Sequence, residues 1–340
     1  MAFITFDGMD GVGKTTQIRR LYKNLKHHGF DVCITREPGG CDFSEKIRGF
    51  LKKVTVKNEI EILLQIASRI EHVNCVITPA LERGVVVLCD RFVDSTVAYQ
   101  CFSGVVVDML LRSKNDYGDD PTIRDFLSDL MHDESIKDET RDLLNKAMAI
   151  ELGEASLLGF NDGVFFYAQP NSDCVRLGYK IASFVNSRFP NVFEHSGFDG
   201  GVDVCIMQAV MLNFVLDAHK HFVGLNPHAT ILLDVLDSVA FAGGEIKHHG
   251  LDKYESRSWL FRLWTIAGYR WIQHIEDRNV GGLLGGASRE FSSLVRDSVD
   301  SVESRVLDVV GALLGFDVGI KFKNIVSVVV FLFVVVFQIQ

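Results

Sequence analysis

The segment from Phe3 to Thr16, FITFDGMDGVGKTT, constrains this chain more than any other. An apolar, β-branched run leads into GxxxxGKT, and the residues that follow carry helical spacing. Strand, glycine loop and helix in that order are the context in which the pattern works as a phosphate-binding loop. Gly8, Gly11 and Gly13 let the backbone N–H groups curl round one anion, and the helix start adds its own unpaired N–H groups. Across Gly8, Met9, Asp10, Gly11, Val12, Gly13, Lys14, Thr15 and Thr16 the chain is expected to cradle a polyphosphate. Lys14 reaches the β- and γ-phosphates, and the Thr15 hydroxyl is placed for Mg²⁺. The motif implies ATP or GTP and leaves the reaction open.

The remaining composition suits a soluble protein with a large core. The chain has 340 residues, 47% of them hydrophobic, and only six prolines, enough for one domain and an addition. The first apolar run stops at Asp7 and has no basic start, so it reads as a strand rather than a secretory segment, and a cytoplasmic location is expected. The seven cysteines, at positions 33, 41, 75, 89, 101, 174 and 205, form no CxxC pair and no His-rich metal spacing. They are expected to stay reduced, with no structural metal.

Short β-branched runs at Phe3 to Asp7, Asp31 to Arg36, Val85 to Asp90 and Thr230 to Val235 alternate with helical spacings, which predicts a parallel α/β sheet. Ile60 to Arg83 keeps apolar residues mostly three or four apart and predicts a long half-buried helix. A last strand is expected at Asn279 to Leu284. A helix is expected from Arg289 to Val310, with apolar residues at 291, 294, 295, 299, 302, 306, 309 and 310.

Four further segments, TREPGG (Thr35 to Gly40), LLQIASRIEHV (Leu63 to Val73), CDRFVDSTVAYQ (Cys89 to Gln100) and GLNPHATILLDV (Gly224 to Val235), resemble in this order the thymidylate kinases, which phosphorylate dTMP to dTDP. The resemblance covers Phe3 to Gln100 and about Gly197 to Val309. It implies an α/β P-loop NTPase fold, a five-stranded parallel sheet flanked by helices with nucleotide sites at the carboxyl ends of the strands. ATP, dTMP and Mg²⁺ are the ligands it implies, and a homodimer the assembly. The acceptor of such a kinase is an anionic phosphate oxygen, so arginines and Mg²⁺ carry the reaction rather than a strong base. Arg36 in TREPGG is the expected acceptor-phosphate clamp, oriented by Glu37. By resemblance Asp90 joins Thr15 in the Mg²⁺ shell, partly through water, and Arg91 serves the acceptor phosphate. Asp10 takes the sugar 3′-hydroxyl and Arg69 the base, while Ser95, Thr96, Tyr99 and Gln100 line the base pocket. Surface salt bridges or a solvated helix face remain the plain alternative for these side chains.

The chain departs from the family at several positions. Gln65 stands where an aromatic residue usually stacks on thymine, and Ser68 where an aspartate is usual. The lid stretch, DSVAFAGGEIKHHGLDKYE, has no arginine between Asp237 and Asp252. Lys247, with His248 and His249 beside it, is the lid cation expected to serve catalysis, and Asp252 and Glu255 keep the acidic positions. Two alternatives therefore stay open: a kinase for another nucleoside monophosphate, and a catalytically weakened nucleotide-binding protein acting through its insert.

Two additions lie outside the family pattern. The kinase domain is read as 1–102 with 197–312, interrupted by a mainly helical insert, 103–196. One insert helix starts at Pro121 behind Asp120, and another runs from Lys137 to Leu152. Nine basic and sixteen acidic residues give the insert a net charge of −7, out of −9 for the chain, which argues against a nucleic-acid partner. A protein partner, the kinase's own dimer or a tolerated insertion without a task are its readings. The second addition is the tail 313–340, whose apolar run Ile325 to Phe337 would span about 20 Å as a helix, short of a bilayer's roughly 30 Å. A buried strand is expected there, with membrane contact the lesser alternative.

Overall fold

The computed structural model describes residues 2–114, 121–154, 172–189, 193, 201–234, 259–277, 290–295 and 299–316. Five strands, β1 (Phe3–Asp7), β2 (Val32–Arg36), β3 (Val86–Asp90), β4 (Ala229–Asp234) and β5 (Glu290–Val295), form one sheet in the order β2-β3-β1-β4-β5. Every pairing is parallel. The central β1 is buried along its whole length, as a strand covered on both faces requires. Its alternation divides the core. Ile4 and Phe6 join one apolar cluster with Ile18, Leu21 and Val306, while Phe3 joins the other with Ile66, Phe92 and Trp264.

The described helices are α1 (Lys14–His27), α2 (Asp42–Leu51), α3 (Asn58–His72), α4 (Thr78–Glu82), α5 (Val93–Thr96), α6 (Val105–Lys114), α7 (Pro121–Met131), α8 (Asp138–Glu151), α9 (Ser172–Arg188), α10 (Val202–Ala218), α11 (Trp259–Asp277) and α12 (Val299–Leu314). π-Helical turns Val73–Ile77, Val97–Gly104 and His219–Val223 interrupt or extend them. The first of these makes the long helix read at Ile60 to Arg83 two α-helices joined by a wider turn. Helices α1 and α12 cover the Ile4/Phe6 face. Helix α3, buried at all fifteen positions, lies in the core of the other.

The end of the sheet differs from the sequence reading. Residues 279–284 lie outside the described ones, the strand beside β4 is Glu290–Val295, and the helix predicted from Arg289 begins only at Val299. In EFSSLV the apolar positions fit a helical spacing, but Ser292 and Leu294 are buried at a period of two. Pairing with β4 settles the ambiguity that so short a run leaves open.

The helices of 103–196 share the main core. Residue 103 falls inside the Val97–Gly104 turn, which runs on into α6. The α7–α8 pair rests on α2 and α3. The rings of Phe50 and Phe126 stack at 3.8 Å, Lys46 pairs with Asp133 at 2.9 Å, and Leu143, Leu144, Ala147 and Ile150 sit in one cluster with Ile62 and Ile66. The buried carboxylate of Glu71 on α3 accepts from the Lys137 N–H at 2.9 Å and the Thr140 hydroxyl at 2.5 Å. The stretch Val202–Val223 is long and apolar enough to cross a membrane by length and composition, but 61% of its window is buried inside the protein. The lid stretch with Lys247 and the tail from 317 lie outside the described residues.

Candidate functional site

The phosphate loop joins β1 to α1. Gly8 has φ +129°, and a Cβ there would meet the Leu233 carbonyl oxygen at 2.2 Å, so only glycine lets the loop pass beside β4. Gly13 caps α1 in a left-handed conformation. Lys14 folds back along the loop, where its Nζ donates to the carbonyls of Gly8 at 3.0 Å and Met9 at 2.8 Å. Burial, and then Arg91, press its pKa down to about 8, while Asp90, Asp10 and Asp7 work in the opposite sense. At the head of α1 the Thr15 hydroxyl donates to Asp90 Oδ2 at 3.2 Å. Asp90 Oδ1 is buried and has no hydrogen-bond partner among the described residues. An orphaned carboxylate oxygen beside an exposed threonine hydroxyl and a loop of N–H groups is an arrangement into which a hard divalent cation fits.

Arg91 follows β3 with φ +75° and is the hub of the site. Its Nη1 donates to Gly8 O at 3.2 Å, Ser95 Oγ at 3.0 Å and the Tyr269 hydroxyl at 3.3 Å. Its Nη2 reaches Asp10 Oδ1 at 2.5 Å and the Tyr99 hydroxyl at 3.3 Å, and its guanidinium lies over the Tyr99 ring. Burial opposes the charge of Asp10, but Arg91 and Lys14 outweigh it and hold that carboxyl below its usual range. Beneath this hub, Ser95 donates to Asp7 Oδ1 at 2.5 Å. Burial, and then the nearby Asp94, raise the Asp7 carboxyl to about 6.

A pocket opens beyond Arg91. Asp10, Arg69, Arg91, Ser95, Thr96, Tyr99 and Gln100 all line it, joined by Glu37, Pro38, Arg48, Leu51, Lys52, Gln65 and Phe92. Arg69 is 2% exposed. Its Nε donates to Glu37 Oε2 at 2.7 Å and its Nη2 to the Thr96 hydroxyl at 2.9 Å, above the Phe92 ring. Glu37 therefore orients Arg69, not Arg36. Its second oxygen meets His72 Nδ1 at 3.0 Å, and His72 Nε2 meets the Thr35 hydroxyl at 2.6 Å. Because a carboxylate only accepts, Nδ1 must carry the proton in that pair. Burial works against the charge on Glu37, yet Arg69 and then His72 keep its carboxyl below the ordinary range.

Arg36 stands apart. It ends β2, pairs with Glu45 at 2.9 Å, is half exposed, and is not among the residues lining the pocket. Arg48, one α2 turn further, does line it, with Nη1 on the Pro38 carbonyl at 3.0 Å. Tyr269 was likewise outside the sequence reading. It comes from α11, far along the chain, and its hydroxyl lies 2.9 Å from Ser95 Oγ and 3.3 Å from Gly8 O. Nothing local marks it, whereas the spacing of Gln65 and Arg69 on α3 places both on one face and is visible in the sequence. A second hollow lies on the other side of the loop, between Gly11, Thr16 and Gln17 and the Val299–Val302 turn of α12.

A parallel 2-3-1-4-5 sheet with a phosphate loop after its central strand defines a P-loop nucleotide-binding fold, and an arginine-lined pocket lies beside that loop. Residues 6–144 match the family model described as thymidylate kinase. The thymidylate kinase of Wolbachia sp. subsp. Brugia malayi is 51% identical over 111 residues, which cover 32% of this chain and 54% of that protein. Those of Citrifermentans bemidjiense and Bacillus pumilus are 52% and 45% identical over 101 and 125 residues, covering 29% and 36% of this chain and 45% and 58% of theirs. The chain thus spans about half the length of the curated relatives it matches. Over residues 6–144 the chain is therefore similar to thymidylate kinases. A solved thymidylate kinase from Ehrlichia chaffeensis overlays with a TM-score of 0.46 and 18% identity, over 91% of this chain and 97% of that one. So loose an overlay adds nothing to the strand order.

Proposed function

We propose that this protein transfers the γ-phosphoryl group of ATP to the phosphate of dTMP, giving ADP and dTDP. The observation that supports the reading most is the single pocket in which Asp10, Arg69, Arg91, Thr96, Tyr99 and Gln100 face one another beside Lys14 and the phosphate loop. An oxygen of the acceptor phosphate attacks the γ-phosphorus in line, one P–O bond forms and the β,γ-bridging bond breaks. The nucleophile is already anionic, so the protein's task is alignment and charge neutralisation. Lys14 and the loop N–H groups hold the donor phosphates. Arg91, with Arg48 lining the same pocket, holds the acceptor phosphate, and Arg36 joins them if its pairing with Glu45 opens. Asp10 takes the sugar hydroxyl, and Arg69 with Gln100 reads the base. Asp90 and Thr15 are the residues to hold Mg²⁺, which when bound supplies charge neutralisation at the β- and γ-phosphates.

The acceptor's identity is tested by competition among dTMP, dUMP, dCMP, dGMP and thymidine with ATP as donor. We expect dTMP to be preferred, and a preference for thymidine would contradict the phosphate-clamp reading. Gln65 in place of an aromatic ring favours a second reading, a different nucleoside monophosphate, which the same series would reveal. A homodimer, a cytoplasmic location and a body formed by 1–102 with 197–312 that carries 103–196 and the tail 313–340 are part of the same proposal. Light scattering of the purified chain tests the first.

Two expected results follow from the geometry. With Lys14 titrating at about 8 in the free protein, its charge is present below that pH and lost above it. The kcat/KM for ATP is therefore expected to fall above about pH 8, since that parameter reports the free enzyme. Bound phosphates favour the charged lysine, so the fall in kcat should come at higher pH. A kcat/KM that stays flat from pH 7 to 9.5 would count against this placement of Lys14. Tyr269→Phe deletes one hydroxyl shared by Gly8, Ser95 and Arg91. Turnover should fall about tenfold with little change in the KM for ATP, and the folded state should lose only about 1 kcal/mol. Unchanged turnover would make that hydroxyl idle.

A further inference from the structure

On α3, Glu61, Gln65 and Arg69 follow one another at four-residue steps and share a face. Gln65 and Arg69 line the pocket, while Glu61 lies buried behind it, 2% exposed. Its Oε1 accepts from Gln100 Nε2 at 2.7 Å. The backbone of Gln100 is fixed as well, since its carbonyl takes the Asn58 Nδ2 donor at 3.0 Å. A carboxylate can only accept hydrogen bonds, so the amide nitrogen of Gln100 has to face Glu61 and the amide oxygen has to face away. Gln100 lines the pocket, and its oxygen is not among the buried side-chain atoms left without a partner. That oxygen is accordingly presented to the pocket as an acceptor. Nearby, Arg69 uses Nε for Glu37 and Nη2 for Thr96, and its Nη1 makes no hydrogen bond among the described residues.

We infer that Glu61 is a positioning residue that locks the polarity of Gln100 and so makes the pocket select a pyrimidine with a ring N–H beside a carbonyl, the imide edge of a 2,4-dioxopyrimidine. This rests on the reading of the pocket as the acceptor-base site and goes beyond it by naming what enforces the choice. Gln100 accepts the ring N–H while Arg69 donates to the adjacent carbonyl. Cytosine reverses both groups: its ring nitrogen lone pair faces the Gln100 oxygen, and its amino group faces the guanidinium. The unpaired groups left in so buried a pocket weaken binding by about tenfold to a hundredfold.

The test uses the whole chain and two arms. In the wild-type protein, displacement titrations compare dTMP, dCMP and dTMP methylated at the ring nitrogen N3. The two analogues are expected to bind at least about tenfold more weakly than dTMP. In Glu61→Gln the neighbouring group becomes an amide that can also donate, so Gln100 is free to turn over. The dCMP-to-dTMP ratio of kcat/KM should then rise about tenfold or more, with the KM for ATP unchanged. A buried glutamate that merely holds two helices together would lower stability or overall rate and leave that ratio alone. Equal binding of N3-methylated dTMP and dTMP, or an unchanged ratio in Glu61→Gln, overturns the inference. Should that variant not fold, the methylated nucleotide decides on the wild-type protein. A protein that binds no pyrimidine monophosphate at all overturns the acceptor-site reading itself, a result distinct from either of these.

Discussion

Lys14→Ala is expected to lower dTDP formation by about a thousandfold or more while the protein stays folded. Removing one preorganised group from a developing phosphoryl or oxyanion charge commonly costs two to three powers of ten, about 2.7 to 4 kcal/mol, and here the group is a full charge at the donor phosphates. The fold should tolerate the loss. Lys14 is buried and carries its charge at a penalty, with a pKa pressed down to about 8, and what it gives the loop is two hydrogen bonds, to the carbonyls of Gly8 and Met9. The measurement is single-turnover kinetics beside a thermal melt. Turnover equal to that of the unsubstituted protein would remove the phosphate loop from the mechanism.

The second large effect is on stability. In Arg69→Ala the carboxylate of Glu37, 3% exposed, loses the partner 2.7 Å away and keeps only His72. Breaking a buried ion pair from one side typically costs about 3 to 5 kcal/mol, a large part of what a domain of this size has to lose. The Tm should drop by several degrees, and at temperatures where the variant remains folded the KM for dTMP should rise while that for ATP does not. Combining Arg69→Met with Glu37→Gln should restore part of the stability without restoring dTMP binding, because no charge is then left uncompensated. A Tm unmoved by Arg69→Ala would show that solvent or His72 already satisfies Glu37.

How much of this was readable in the sequence depended on how local each feature is. The phosphate loop was legible because its function needs a fixed run of residues between a strand and a helix, and β1 to β4 because parallel strands are short, continuous and β-branched. Ser95, Thr96, Tyr99 and Gln100 lie close together in the chain, so their common orientation follows from one helical stretch. The partner of Glu37 did not follow in that way. The adjacent Arg36 looks like its natural partner, yet successive residues of a strand point to opposite faces, and Glu37 turns inward to α3 while Arg36 turns outward to Glu45. Tyr269 reaches the site from α11, and only the packed structure brings it there. β5 was misplaced because EFSSLV satisfies a strand and a helix period alike. The lysine of the lid, Lys247, belongs to a stretch outside the described residues, so its part in the reaction rests on the sequence alone.

The most direct measurement is the formation of ADP and dTDP from ATP, Mg²⁺ and dTMP by the purified protein, with Lys14→Ala carried alongside to exclude a contaminating kinase. The account predicts ADP and dTDP in equal amounts, lost in the Lys14 variant. Tight binding of ATP and dTMP with no dTDP formed would contradict it, and would leave a chain that keeps the fold and both pockets of a kinase without performing the transfer.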